Sequence, residues 1–172
     1  MSSSMWLAGL RETKAKLSAY VGTFEQRKAF FLGKIAKSGV DVSKVIFRQA
    51  IYDGTNDVVV GEPKWISPNE VEVLAVGNTI TFIEFGSGVH YSKQHPLASE
   101  MGAIRGEYGK GRGKRDVWGY YGDPGSRGKI AKTNAKGDLV LTHGNPPARA
   151  MYLADKAMRD MVLRTVKEAF GS

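Results

Sequence analysis

The residue types with chemical reach gather in one stretch, Ile80-Thr81-Phe82-Ile83-Glu84-Phe85-Gly86-Ser87-Gly88-Val89-His90-Tyr91. Glu84 and His90, with His95 just beyond, form a carboxylate and imidazole set of the kind that suits Zn, Mn or Fe. The spacing works against a metal site. His90 and His95 are five residues apart, which turns them to different faces of either a helix or a strand, and no H-E-x-x-H motif links them. His143 would complete three ligands only through a tertiary contact, so ordinary loop histidines are the simpler reading. Ser87, between Gly86 and Gly88, has the neighbours of a nucleophile but not its frame. A nucleophile elbow needs G-x-S-x-G with a strand before it and a helix after it, and here a loop follows.

A second stretch is basic. Arg105, Lys110, Arg112, Lys114, Arg115, Arg127, Lys129, Lys132 and Lys136 face only Glu107, Asp116 and Asp123, so this segment holds most of the chain's net charge of +8. Gly109-Lys110-Gly111-Arg112-Gly113-Lys114 lacks the four-residue spacing of a phosphate loop, and no hydroxyl follows its lysine. Glycine and cations interleaved with Tyr108, Trp118, Tyr120 and Tyr121 make a composition that meets nucleic acid by phosphate neutralisation and stacking. A solvated basic loop at a subunit contact has the same composition. On either reading the loop does the recognising, and it is expected to order against a partner.

The elements that must position these residues follow from periodicity. Trp6, Leu10, Leu17, Val21, Phe24, Phe31 and Ile35 recur at helical spacing. Gly22 interrupts them, and Thr23 with Gln26 resembles a capping box, so a break or bend is expected there. The pattern stops at Ser38-Gly39, and Asp41 or Ser43 would cap a further short helix through Ala50. After the turn cluster Asp53-Gly54-Thr55-Asn56-Asp57, strands are expected at Val58-Val59-Val60, Trp65-Ile66 and Glu70 to Val76. The run Ile80 to Phe85 reads as a strand by its β-branched content or as a short helix capped by Asn78; eight residues from Asn78 do not decide. Residues 92–138 show no sustained period and read as a long loop. Leu139-Val140-Leu141-Thr142 is a final strand. In Asn145-Pro146-Pro147 the asparagine caps and a proline takes the first helical position of a last helix, which Gly171 closes.

At 172 residues the chain fits one domain, with a helical part at 1–51, strands at 52–91, the loop at 92–138, and a strand and helix at 139–172. It has no cysteine, which excludes a disulfide frame, a thiolate metal site and a cysteine nucleophile. No charge-free apolar run approaches the ~18 residues of a membrane span, and Met1-Ser2-Ser3-Ser4 is not a cationic leader. Assembly in the cytosol, away from membranes, is expected.

Two stretches together resemble the tail-completion, or neck, proteins of long-tailed bacteriophages: Phe82-Ile83-Glu84-Phe85-Gly86-Ser87-Gly88, and Thr142-His143-Gly144-Asn145-Pro146-Pro147-Ala148-Arg149-Ala150-Met151-Tyr152. The Gly-rich segment from Tyr108 to Gly122 is similar to an insert in a subgroup of that family. Ser87 departs from the pattern, where threonine is commoner. The resemblance implies an α+β subunit with helices packed on a small curved antiparallel sheet. It implies a closed, hexameric homo-oligomeric ring at the head-to-tail junction of the virion, assembled in the host cytoplasm. Its partners would be the neighbouring connector or neck proteins and the tail tube protein, with non-specific contact to genomic DNA in the channel. No catalysis and no cofactor are implied. Glu84, Phe85, Gly86, Gly88, Asn145, Pro146 and Pro147 would be structural, with Glu84 a corner carboxylate that accepts backbone hydrogen bonds or an arginine across a subunit contact. Arg105, Lys110, Arg112, Lys114, Arg115, Trp118, Arg127 and Lys129 would meet a partner or DNA. A nucleic-acid-binding module using the basic loop is the alternative, and a metal-dependent hydrolase using Glu84 and the histidines is a third.

Overall fold

The computed structural model of the chain describes residues 3–88, 91, 94–102, 117–125 and 128–171. The fold is α+β. Helix α1 spans Ser3–Gln49, about 70 Å of unbroken helix. The break expected at Gly22 is absent. Thr23 Oγ1 donates to the Ala19 carbonyl one turn back, at 3.0 Å, instead of capping a new start. One glycine costs a helix only ~1 kcal/mol relative to alanine, too little to stop a run rich in Lys, Ala and Leu.

The second expected stop also fails. Gly39 lies inside α1, where α3 (Ala150–Phe170) comes closest: a Cβ there would lie 2.5 Å from Met158 Sδ. Its small size makes room for a neighbouring helix. Ser43 is likewise interior, donating to the carbonyls of Gly39 at 2.8 Å and Val40 at 3.1 Å, and no separate helix starts at Asp41. Phe24 and Phe31 meet Phe170, Lys34 pairs with Glu168, and Gly39 meets Met158, so α3 runs antiparallel along α1. The end of α1 is held from outside, by Asn56 Nδ2 donating to the Phe47 carbonyl at 2.8 Å.

Short ladders follow. Strand β1 (Val59–Val60) pairs antiparallel with β4 (Ala75–Val76), and β2 (Lys64–Ser67) with β3 (Glu70–Glu72) across the turn at Pro68-Asn69. The single strand expected from Glu70 to Val76 is thus two, serving different partners. Residues 80–85 are helical, as α2 (Ile80–Phe85), with Thr79 and not Asn78 at the N-cap position.

The long loop expected at 92–138 contains two strands. Strands β5 (Trp118–Tyr121) and β6 (Lys129–Asn134) both pair antiparallel with β7 (Gly137–Thr142), which lies between them. Strand β6 is exposed at every position. A strand wet on both faces carries no apolar alternation, so nothing in its pattern marked it.

The core lies where these elements converge. Val40 and Phe47 of α1, Val60 of β1, Ile83 of α2 and Ala150 of α3 are buried together, flanked by Val73, Ile80 and Met151. This places α2 and the start of α3 on the last third of α1. Among the described residues no helix is long and apolar enough to cross a membrane.

Candidate functional site: the joint between two helix ends

Helix α2 ends where α3 begins, although 64 residues of chain separate Phe85 from Ala150. The joint starts from an electrostatic need. The first amides of a helix have no partner within it, and they carry the positive end of its dipole. Residue Arg149, at the N-cap position of α3, supplies no side-chain cap. Glu84 does so from α2. Its Oε2 accepts the Met151 amide at 3.0 Å and its Oε1 accepts the Tyr152 amide at 3.1 Å.

The exchange is reciprocal. The amides of Ala148 and Arg149 donate to the carbonyls of Ile83 (2.8 Å) and Glu84 (3.1 Å), the carbonyls that α2 leaves open at its end. Just beyond, the amides and carbonyls of Ser87 and Asn145 bond each other at 2.9 and 3.1 Å, and Ser87 Oγ accepts the Asn145 amide at 3.1 Å. The hydroxyl is therefore engaged with backbone. The two backbones approach this closely because Gly86 and Gly88 have φ of +80° and +82°. At Gly86 a Cβ would also lie 2.8 Å from the Asn145 carbonyl oxygen and the Pro147 nitrogen.

His95 completes the joint. It is 3 % exposed and Glu84 is 5 % exposed, so their polar atoms must be satisfied internally. His95 Nδ1 accepts the Leu97 amide at 3.0 Å, which assigns the ring proton to Nε2, 3.2 Å from Glu84 Oε1. The ring is held between Phe85, at 4.4 Å between centroids, and Tyr152, at 5.6 Å edge-on. Arg149 has φ +58°, the one non-glycine residue in the left-handed region among those described, and its Nη2 donates to the Gln94 carbonyl at 2.9 Å. That conformation turns the extended Asn145 to Ala148 segment sharply into α3 and aims the helix amides at Glu84.

The expectation that Asn145 caps the last helix and a proline opens it is corrected by this geometry. Helix α3 starts at Ala150, and the prolines precede it in extended chain. Proline's fixed φ and missing amide suit such a segment as well as a first helical turn. The cap comes instead from Glu84, which no local pattern around residue 150 reveals.

A second carboxylate does the same work at α2, which also lacks a side-chain cap of its own. Asp57 accepts the amides of Asn78 (2.8 Å) and Thr79 (3.0 Å), the Asn78 side chain (2.9 Å) and the Thr79 hydroxyl (2.5 Å). The Thr79 hydroxyl first, and the two amides after it, hold the Asp57 carboxyl far below the usual carboxylate range. The turn containing Asp57 is legible in the sequence, but its partners, 21 and 22 residues on, are not.

The remaining site residues divide. Trp118 and Lys129 lie on β5 and β6 at opposite sides of β7, opposite Thr142 and Leu141. Both are exposed. Arg105, Lys110, Arg112, Lys114, Arg115 and Arg127 lie outside the described residues, as does His90. Among the described residues, no group of three or more His, Cys, Asp and Glu side chains gathers that could hold a metal ion. Glu84 and His95 come together, while His143 is exposed on the far side of the Ser87–Asn145 pairing. Beside the joint, Ile80, Phe85, Leu97, Met101, Met151 and Tyr152 line an apolar cleft. In comparisons with protein-family models, curated proteins and solved structures, this chain matches none.

Proposed function

We propose that this chain is a structural virion subunit, a tail-completion or head-to-tail joining protein that forms a ring between the connector and the tail tube of a long-tailed bacteriophage. The observation that carries the reading is the joint itself. The two short stretches that resemble the family, 82–88 and 142–152, meet residue by residue through backbone pairs and the Glu84 cap. Glu84, Ser87 and His95, which sequence alone offers as reactive, are then engaged in holding two helix ends together. Such a joint fixes a rigid body, and rigid bodies with projecting segments are what ring assembly requires.

Imaging of purified virions tests this directly. A tagged copy of the chain is expected as a ring at the head-to-tail junction, and heads and tails are expected to remain unjoined when the chain is missing. A tag distributed along the tail, or complete virions without the chain, would reject the reading.

The exposed strand β6, with Lys129 and Lys132 one strand away from the exposed Trp118 and Tyr121 of β5, favours a second reading, a nucleic-acid-binding surface. A salt titration of duplex DNA against the isolated chain separates the two. Tight binding that falls steeply with salt belongs to the second reading, and weak binding to the first.

A further inference from the structure

Among the described residues, little covers the N-terminal half of α1 beyond Phe170 at Phe24. Residues 6–27 are exposed at every position, yet they include Trp6 at 72 %, Leu10 at 48 %, Leu17 at 61 %, Tyr20 at 69 % and Val21 at 50 % exposure. Large apolar side chains in contiguous exposure mark contact surfaces. These are not scattered. At ~100° per residue, Trp6, Leu10, Leu17, Tyr20, Val21 and Phe24 fall within an arc of about 100°, the width of a stripe that packs on other helices.

The stripe continues an interface that the chain already makes. Phe24 and Phe31 lie in the same arc and both meet Phe170, with centroids 5.7 and 6.2 Å apart. Helix α3 ends there, at Phe170. Toward the N-terminus the same surface runs on, bare, from the point where α3 stops. A face shaped for a helix on one half is shaped for a helix on the other.

We propose that this stripe packs against the same stripe of a second copy of this chain, the arms of neighbouring subunits lying side by side and parallel. Trp6, Leu10, Leu17, Tyr20 and Phe24 take five of the six a and d positions from 6 to 24, Thr13 taking the other, with Leu7, Lys14 and Val21 at e. An a, d and e pattern is the one that helices in bundles use, wider than the seam of a two-stranded coil. Side by side, two such arms offer about three heptads of continuous stripe to each other. Its charges do not forbid the contact, since Glu12 and Lys16 pair within the arm at 2.7 Å. The parallel direction rests on the ring reading, because cyclic symmetry points every arm the same way. Self-association through the stripe does not depend on it.

The test uses the full chain in solution, by sedimentation across a range of concentrations. The native chain is expected to associate. Leu10→Glu with Leu17→Glu, at exposed positions where helicity and melting temperature should be unchanged, is expected to weaken association at least ~100-fold. Because the chain contains no cysteine, Leu10→Cys is a clean reporter, and oxidation is expected to link two copies at that residue. Association that survives the double substitution overturns the proposal. So does a native chain that stays monomeric and binds vesicles of anionic lipid, which would assign the stripe to a membrane surface. Association that is lost in the double variant but gives no Leu10→Cys link overturns the parallel direction. A ring at the virion junction built by subunits that carry both glutamates overturns the arm contact and leaves the ring standing.

Discussion

The most consequential single residue is Glu84, a buried carboxylate whose two oxygens take the first free amides of α3 and the His95 imidazole. Glu84→Ala leaves those donors buried without an acceptor and is expected to cost about 2–3 kcal/mol. For a chain of this size that is a fall in melting temperature of roughly 5–10 °C. Glu84→Gln keeps the shape but sets an NH2 group against a backbone N–H, so part of the loss should remain; a melting curve equal to the native one would show that the amides find other acceptors. Gly86 has φ +80° and ψ 174°, a region essentially reserved for glycine. Gly86→Ala adds a Cβ against the 145–147 backbone and is expected to cost about 3 kcal/mol or more, read by chemical denaturation. Asp57 supplies a pH dependence. Its folded pKa is depressed, so its stabilisation is complete above the unfolded value of ~3.9 and is lost as pH falls below that toward the folded value. Melting temperature should therefore drop more steeply with acid below about pH 4 in the native chain than in Asp57→Asn.

Among the elements, α1 decides most. Its continuity past Gly22 and Gly39 links a packed half, against α3 and the core, to an exposed half. At Gly22 a Cβ would meet nothing, so Gly22→Ala should stabilise the arm by up to ~1 kcal/mol and raise helicity by circular dichroism without moving any packed residue. The opposite holds at Gly39, where Met158 fills the space a side chain would need. Two glycines that look alike in sequence thus sit in opposite surroundings, one in open space and one where Met158 would have to move for a side chain. The helices α2 and α3 are alike in a different way. Each begins without a cap of its own and is capped by a carboxylate from another segment, Asp57 for α2 and Glu84 for α3. The contacts 57 to 79 and 84 to 151 thus tie the start of each of these helices to a distant segment.

At the scale of the whole molecule, a junction of helix ends and short ladders carries, among the described residues, two further features. One is the bare apolar arm of α1, and the other is the β5-β7-β6 sheet, whose edge strand β6 is exposed at every position. The sheet is tied to the body through polar contacts. Tyr120 donates to the Asp53 carbonyl at 3.0 Å, and the Thr142 hydroxyl donates to the Asp53 carboxylate. Val140, fully buried, anchors its centre. A body fixed at its centre, with apolar and basic surfaces at its margins, suits a subunit that works by contact with neighbours.

Local physics determined what the sequence shows by itself. The helical spacing of α1 and α3, the β-branched strand at Val59-Val60 and the turn at Asp53 to Asp57 all follow from patterns within a few residues, and the α+β class was what the family resemblance implied. The 82–88 and 142–152 stretches stood out there as a pair only through a family resemblance, and nothing in their local pattern showed that they touch. Tertiary structure decided where cost is weighed between distant parts. What a glycine does inside a continuous helix depends on its surroundings: α1 runs through both, but a Cβ at Gly22 would meet nothing and one at Gly39 would meet Met158. Whether residues 80–85 are strand or helix depends on Asp57 and on Ala148 and Arg149, which satisfy the two ends of α2. Strand β6 needed β7 beside it, since with both faces in water it had no apolar period to show. Glu84 could be read as reactive until its partners were known, because a carboxylate's chemistry is set by what donates to it, and its donors lie 67 and 68 residues away.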